Sequence, residues 1–132
     1  MKHLIVGPAG HGVTEYALGL ARATEAEVLR EETFGDSPLT GPVHVTFTDH
    51  LFGDTAELLL ARIDGPLSVS LHDIPQPEEG AERYARRARV YRELVERADA
   101  AVVNSDHEAS FFDAATTVIL SLIHISEPTR PY

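Results

Sequence analysis

The sequence predicts an α/β fold: a Rossmann-like parallel sheet with helices on both faces. Three observations predict it. Short apolar runs alternate with amphipathic helical stretches along residues 3–119, the pattern of repeated strand–helix units. The run Ala100-Ala-Val-Val103 is apolar without alternation, as in a strand buried on both faces of a parallel sheet. A glycine-rich turn, Gly7-Pro-Ala-Gly-His-Gly12, lies between the first apolar run and the first helical stripe, the strand–turn–helix order of such folds.

Taken in order, Leu4-Ile-Val6 is the first expected strand. Residues 13–24 are expected to be helical, with Val13, Ala17, Leu20, Ala21 and Thr24 on one stripe. Residues 27–30 read as a short second strand, and residues 35–42 as a loop punctuated by Pro38, Gly41 and Pro42. Residues 43–47 read as the third strand. Asp54 is expected to cap the next helix with Glu57 as its capping-box partner, and that helix should end near Ile63, ahead of Gly65-Pro66. In the fourth strand Leu67, Val69 and Leu71 alternate with Ser68 and Ser70. Pro75 and Pro77 then hold the chain extended. The long helix covers residues 81–97, with Ala81, Tyr84, Ala88, Tyr91, Val95 and Ala98 expected to face the sheet. Residues 100–103 are the fifth strand. Ser105 opens a short helix, and Thr117-Val-Ile119 begins a sixth strand.

The chain's 132 residues fit one domain. No apolar run approaches the roughly 20 residues that cross a bilayer, and the first residues lack a secretory leader, so a cytoplasmic location is expected. There is no cysteine, which excludes disulfides and thiolate metal sites. The net charge of −10 disfavours nucleic acid as a partner. The stretch from Leu120 to Arg130 resembles an in-frame translation of a transposase sequencing adapter over eleven consecutive residues. Residues 1–119 are therefore expected to form the domain, and residues 120–132 a non-native tail whose His124 and Glu127 are not site candidates.

Ligands of an open parallel sheet bind beyond the carboxyl ends of the strands. That rule selects four loops: 7–12, 48–53, 72–80 and 104–108. In the first, Gly10, His11 and Gly12 precede a helix, where free N–H groups favour an anion; a tight turn needing positive φ explains the glycines equally well. Asp49 and His50 end the third strand, and His72 and Asp73 the fourth. A histidine there could donate to a sugar hydroxyl or position an acceptor. A metal phosphohydrolase of the His-Asp type is excluded because its pair sits on a helix. No metal site is expected, since His44, Asp49, His50 and His107 lack ligand spacing. Asn104 and Ser105 end the fifth strand; Ser105 with Glu108 also reads as a capping box. The 81–97 helix carries Arg83, Arg86, Arg87, Arg89, Arg92 and Arg97. They read as a solvated face with Glu82–Arg86 and Glu93–Arg97 pairs, or as a patch facing a phosphorylated acceptor or an anionic membrane.

In chain order, Gly10-His-Gly-Val13, Ser70-Leu-His-Asp-Ile-Pro-Gln-Pro77, Arg83 to Tyr91, and Ala98-Asp-Ala-Ala-Val-Val-Asn-Ser-Asp-His-Glu108 resemble the N-terminal domain of glycosyltransferase family 4. Thr46-Phe-Thr-Asp-His-Leu-Phe-Gly53 is similar to an acceptor-side loop of its actinobacterial members. The resemblance implies the N-terminal half of a GT-B fold. It also implies transfer of a hexose, with retention, from a nucleotide-sugar donor to an acceptor, without a metal or other cofactor. It implies that His72 lies near the transferred sugar as the catalytic candidate. Gly10, His11 and Gly12 would line the donor phosphates or acceptor, and Asn104 and Ser105 the interdomain cleft. The family's second Rossmann-like domain, with its paired glutamates and its basic residues for the leaving diphosphate, has no counterpart in this sequence, so the chain alone is expected to be inactive.

The alternative is a stand-alone α/β module binding a nucleotide or phospho-ligand through its glycine loop. A small NAD-type oxidoreductase is a third reading. Its glycine spacing is wrong, and only Glu31 and Glu32 could end the second strand as the acidic ribose ligand.

Overall fold

A computed structural model describes residues 1–112 and 118–121. Its strands are β1 (Lys2–Val6), β2 (Glu27–Glu31), β3 (Val43–Phe47), β4 (Leu67–Leu71), β5 (Ala100–Val103) and β6 (Val118–Ser121). Its helices are α1 (Gly12–Ala23), α2 (Glu57–Leu60), α3 (Ala81–Arg97) and α4 (Asp106–Ala109). The strands form one sheet in the order β2-β1-β3-β4-β5-β6, every neighbouring pair parallel. The backbone of Leu120 and Ser121 extends β6 into the expected tail; the rest of that tail lies outside the described residues. Among the described residues no helix is long and apolar enough to cross a membrane.

The two-residue period of each strand sorts side chains onto two faces. On one, Leu4, Val45, Phe47, Val69 and Leu71 pack against Tyr91, Leu94 and Val95 of α3. On the other, Ile5 packs against Ala17 and Ala21 of α1. Each large apolar side chain so buried contributes about 1.5–3 kcal/mol, so the α3 side carries most of the core. Helices on opposite faces follow from right-handed crossovers that run outward in both directions from the middle of the sheet. The chain therefore reverses between β1 and β3, and a crevice opens there beyond the carboxyl ends of the strands.

Four expectations are corrected. The helix of residues 54–63 shrinks to α2, because Gly53 and Asp54 both adopt left-handed backbone (φ 80° and 60°). Asp54 caps nothing; a 3₁₀ turn over Asp49–Phe52 precedes it, and the Glu57 amide donates to Thr55 Oγ1 instead. In α1, Thr14 is buried and Thr24 exposed, the reverse of the expected stripe. In α3 the exposed first turn releases Ala81, and Arg87, Val90 and Leu94 enter the buried face. Finally, neither of the expected pairs Glu82–Arg86 and Glu93–Arg97 is among the ion pairs of the described residues: Arg97 donates to the Gly65 carbonyl at 2.7 Å, and the four-residue pair that does form is Glu79–Arg83.

Two polar assemblies tie the sheet together. On the α1 face the His44 ring lies between two serines of β4, Nδ1 2.7 Å from Ser68 Oγ and Nε2 2.8 Å from Ser70 Oγ. Burial, with a smaller contribution from the charge of nearby His3, pushes His44 down to about 4. The His3 ring lies tilted beside it, with centroids 4.9 Å apart. At the end of β2, Arg62 grips Glu31 with both nitrogens of its fork (3.0 and 2.6 Å) and donates to the Ser37 and Gly35 carbonyls. This pair pins the 32–42 loop, whose Leu39 bridges to Ile63.

Candidate functional site

The rim of the crevice begins with the 7–12 loop. Gly7 (φ 120°) and Gly10 (φ 88°) need glycine for their backbone alone. A Cβ on Gly7 would also lie 2.7 Å from Thr14 Oγ1. Gly12 is different: its φ is ordinary, and a Cβ there would meet nothing within 4 Å, so open space lies above the first turn of α1. The loop's donors are partly spent on its own side chains. The Gly10 amide donates to Glu15 Oε2 (3.1 Å), and the Val13 amide to His11 Nδ1 (3.2 Å), which makes His11 the N-cap of α1.

Across the crevice, Thr48-Asp-His50 follows β3. His50 Nε2 lies 3.4 Å from His11 Nε2, and His50 Nδ1 lies 3.3 Å from Thr48 Oγ1. Asp49 turns the other way, inward, onto Arg87 of α3: Nε to Oδ2 at 2.9 Å and Nη2 to Oδ1 at 3.3 Å. Their side chains are only 6% and 7% exposed. Arg87 also pairs with Glu79 and Asp73 and donates to the Asp73 carbonyl. Burial works against the guanidinium charge, but the bonds and charges of Asp49, Glu79 and Asp73 outweigh it and raise Arg87 above its ordinary value. For Glu79, burial is likewise opposed, and its bonds from Arg87, the Gln76 amide and Arg83 hold it below the usual carboxylate range.

His72 and Asp73 close the β4 end. The His72 amide donates to the Phe47 carbonyl (2.9 Å), and its carbonyl accepts from Tyr91 Oη (2.6 Å). The ring meets Tyr16 of α1 edge-on at 4.6 Å, and burial lowers its pKa, which favours the neutral imidazole. Asp73 has left-handed backbone (φ 55°), unusual for a residue with a side chain. Arg87 holds that conformation through both the carbonyl and the carboxylate. Tyr91 links the same two loops, accepting from the Asp49 amide at 3.3 Å while it donates to His72.

A cleft of about 450 Å³ opens beside this cluster. Asp49, His50 and Asp54 form one wall, Arg83, Arg86, Arg87 and Val90 the other, with Asp73 at its head. Asp49 has both oxygens on Arg87, Asp73 has one there, and Arg83 is paired with Glu79, so the groups left facing the cleft are Asp54, His50, Arg86 and the second Asp73 oxygen. Carboxylates beside a free guanidinium suit a ligand bearing both hydroxyls and negative charge. Ligand atoms of Asp49, His50 and Asp73 lie within 4.8 Å of one another, a spacing that could accept a cation. Arg87 already supplies the positive charge there, and a dication beside a fixed guanidinium would be repelled.

Asn104 and Ser105 sit at the end of β5. The Asn104 backbone amide donates to Glu108 Oε1 (2.8 Å) and Ser105 Oγ accepts from the Glu108 amide (3.2 Å), so capping accounts for Ser105 and Glu108, while Asn104 lends it only a backbone N–H. The start of α4 and the 74–77 loop share a separate, smaller cleft. The structure thus brings His11, His50, Asp49, Asp73 and His72 into one connected rim, and leaves Asn104 and Ser105 beside it. The residues that sequence reasoning passed over are Arg87, Tyr91 and Tyr16. Arg87 had a signal: it falls on the stripe of Tyr91, Leu94 and Ala98, where a charge is out of place.

The fold and rim define a Rossmann-like α/β domain with a mixed-charge cleft at the carboxyl ends of its strands. No family model, curated protein or solved structure matches the chain.

Proposed function

We propose that this chain is the acceptor-side domain of a retaining GT-B glycosyltransferase, contributing one wall of a cleft that receives a hexose from a nucleotide-sugar. The observation that carries the reading is the joined rim: His50 contacts His11, Arg87 binds both Asp49 and Asp73, and Tyr91 bonds the backbones of Asp49 and His72. In this reading His72, neutral and held against Tyr16, meets the sugar. Asp73 and Asp54 accept hydroxyls and Arg86 receives a phosphate in the cleft, while the open space at Gly12, on the α1 side of the rim, leaves room for another part of the donor or acceptor. The stabilisation of a leaving diphosphate belongs to a second domain. The chain alone therefore turns over no nucleotide-sugar.

Two observations weigh against the other readings. The Glu15 carboxylate on the Gly10 amide competes with a phosphate, which disfavours a stand-alone phosphate-loop module. Arg62 occupies Glu31, one of the two residues that could serve as the ribose ligand of a dinucleotide site.

The test is amide chemical-shift mapping with UDP-glucose, GDP-mannose and glucose 6-phosphate. Weak binding is expected, with shifts at Gly12, His50, His72 and Asp73. Shifts confined to other surfaces, or none for any of the three probes at about 100-fold excess, would reject the proposal. An uninterrupted gene that continues into a second α/β domain after codon 119 would support it.

A further inference from the structure

The contact between His11 and His50 has a property that depends on no ligand. The Val13 amide points its hydrogen at His11 Nδ1, 3.2 Å away. That nitrogen must carry a lone pair, so the proton of neutral His11 sits on Nε2. This N–H faces His50 Nε2 at 3.4 Å. His50 Nε2 is then the acceptor, and the His50 proton sits on Nδ1, facing Thr48 Oγ1 at 3.3 Å. One tautomer of each ring satisfies all three contacts, and the rings lie tilted with centroids 5.4 Å apart. All three are long for hydrogen bonds and individually weak.

A proton added to either ring breaks this chain. On His11 it must go to Nδ1, opposite the Val13 N–H, and the cap is lost. On His50 it must go to Nε2, opposite the His11 N–H. The groups around His50 then offer it another partner. Asp49 and Asp73 carry carboxylate oxygens within 4.8 Å of a ring nitrogen; the Asp73 side chain is 60% exposed, with Oδ2 on Arg87 and its other oxygen open to a second partner. Asp54 lines the same cleft, and on the opposite wall stand Arg83, Arg86 and Arg87, the last already committed to Asp49, Asp73 and Glu79. On the His11 side the charged neighbour is Glu15, held by the Gly10 amide. We propose that His11 and His50 form a proton-operated clasp across the crevice between β1 and β3, closed when both rings are neutral and released when either is protonated, with His50 passing to Asp73.

The closed clasp joins the α1 N-terminus to the 3₁₀ turn, so its release frees the two loops that flank the β1–β3 crevice. A metal bridge between the rings is a poorer account. Ligation through Nε2 would force the His11 proton onto Nδ1, against the Val13 amide.

Long-range ¹⁵N–¹H spectra of the histidine rings, with ring-to-ring NOEs, test this on the intact chain. At about pH 8 opposite tautomers are expected, His11 protonated on Nε2 and His50 on Nδ1, with an NOE between the rings. At about pH 5 the NOE should vanish and the Val13 amide should shift. His50 is exposed, so H50Q should fold, lose the ring contact, and keep the His11 tautomer set by Val13. H11N retains a capping side chain, and in it the Val13 amide should stop responding to pH. The clasp is refuted if the NOE survives acidification, if either ring shows mixed tautomers at high pH, or if equimolar zinc shifts both rings together.

Discussion

Replacing Arg87 by methionine tests the centre of the site. The variant keeps the length of the side chain and removes its charge, leaving Asp49 with a side chain only 6% exposed and no cation. Breaking a buried pair from one side costs about 3–5 kcal/mol. The loss is reduced by relief at Asp73, whose left-handed backbone costs about 1–2 kcal/mol and is held by the same guanidinium. A net destabilisation of about 3 kcal/mol is expected, a large part of a stability of about 5–15 kcal/mol. For a chain of this size it corresponds to a fall in melting temperature of roughly 10 °C. The assay is denaturant unfolding followed by circular dichroism, with the slope checked for constancy. R87M/D49N removes both charges and should recover about 1–2 kcal/mol relative to the sum of the single variants. R87K keeps a charge without the planar fork and should fall between. Additivity of R87M and D49N within about 0.5 kcal/mol, or a loss in R87M below about 1 kcal/mol, would show that the buried pair does not hold the rim.

Acid should weaken the fold through His44. The unfolded chain takes up a proton near the ordinary 6.5, whereas the folded ring refuses it until about 4. Its contribution is therefore complete above about pH 6.5 and is lost as pH falls toward about 4, to a total of about 3 kcal/mol; His3 and His72 shift in the same direction. Urea midpoints measured across that interval should fall for the native sequence and flatten in H44N, and an unchanged slope in H44N would place the effect elsewhere. Gly7 and Gly12 should separate turn geometry from ligand contact. G7A meets Thr14 in a left-handed backbone and should lose about 2–3 kcal/mol. G12A has open space and ordinary backbone, so it should gain up to about 0.5–1 kcal/mol while weakening the nucleotide-sugar shifts. If G12A binds as the native chain does, Gly12 takes no part in recognition.

Much of the fold was legible because strand and helix periods are local. The third, fourth and fifth strands and the long helix occupy the residues their patterns indicated. The helix after β3 was misread because Asp54 looks like a cap in sequence, and only its left-handed backbone, next to Gly53, shows that it ends a turn instead. The rim loops were legible from the rule that ligands meet strand ends. Their mutual contacts were not. His11 and His50 are 39 residues apart, and their meeting depends on how two loops fold over the β1–β3 crevice. Arg87 was grouped with the surface arginines because a run of cations on a helix usually faces water; it is buried because three carboxylates from two other loops converge on it.

The imidazole of His44 has a further consequence for assembly of the sheet. Its two nitrogens reach two hydroxyls one repeat apart on the adjoining strand, Ser68 and Ser70, while Val43 and Val45 lie level with Leu67 and Val69. Sliding β4 by a single position would set leucine or valine side chains against both nitrogens and strand them in the interior without acceptors or donors. The ring thus works as a gauge of alignment between neighbouring strands: misaligned pairings during folding forfeit two hydrogen bonds together with the apolar match on the opposite face.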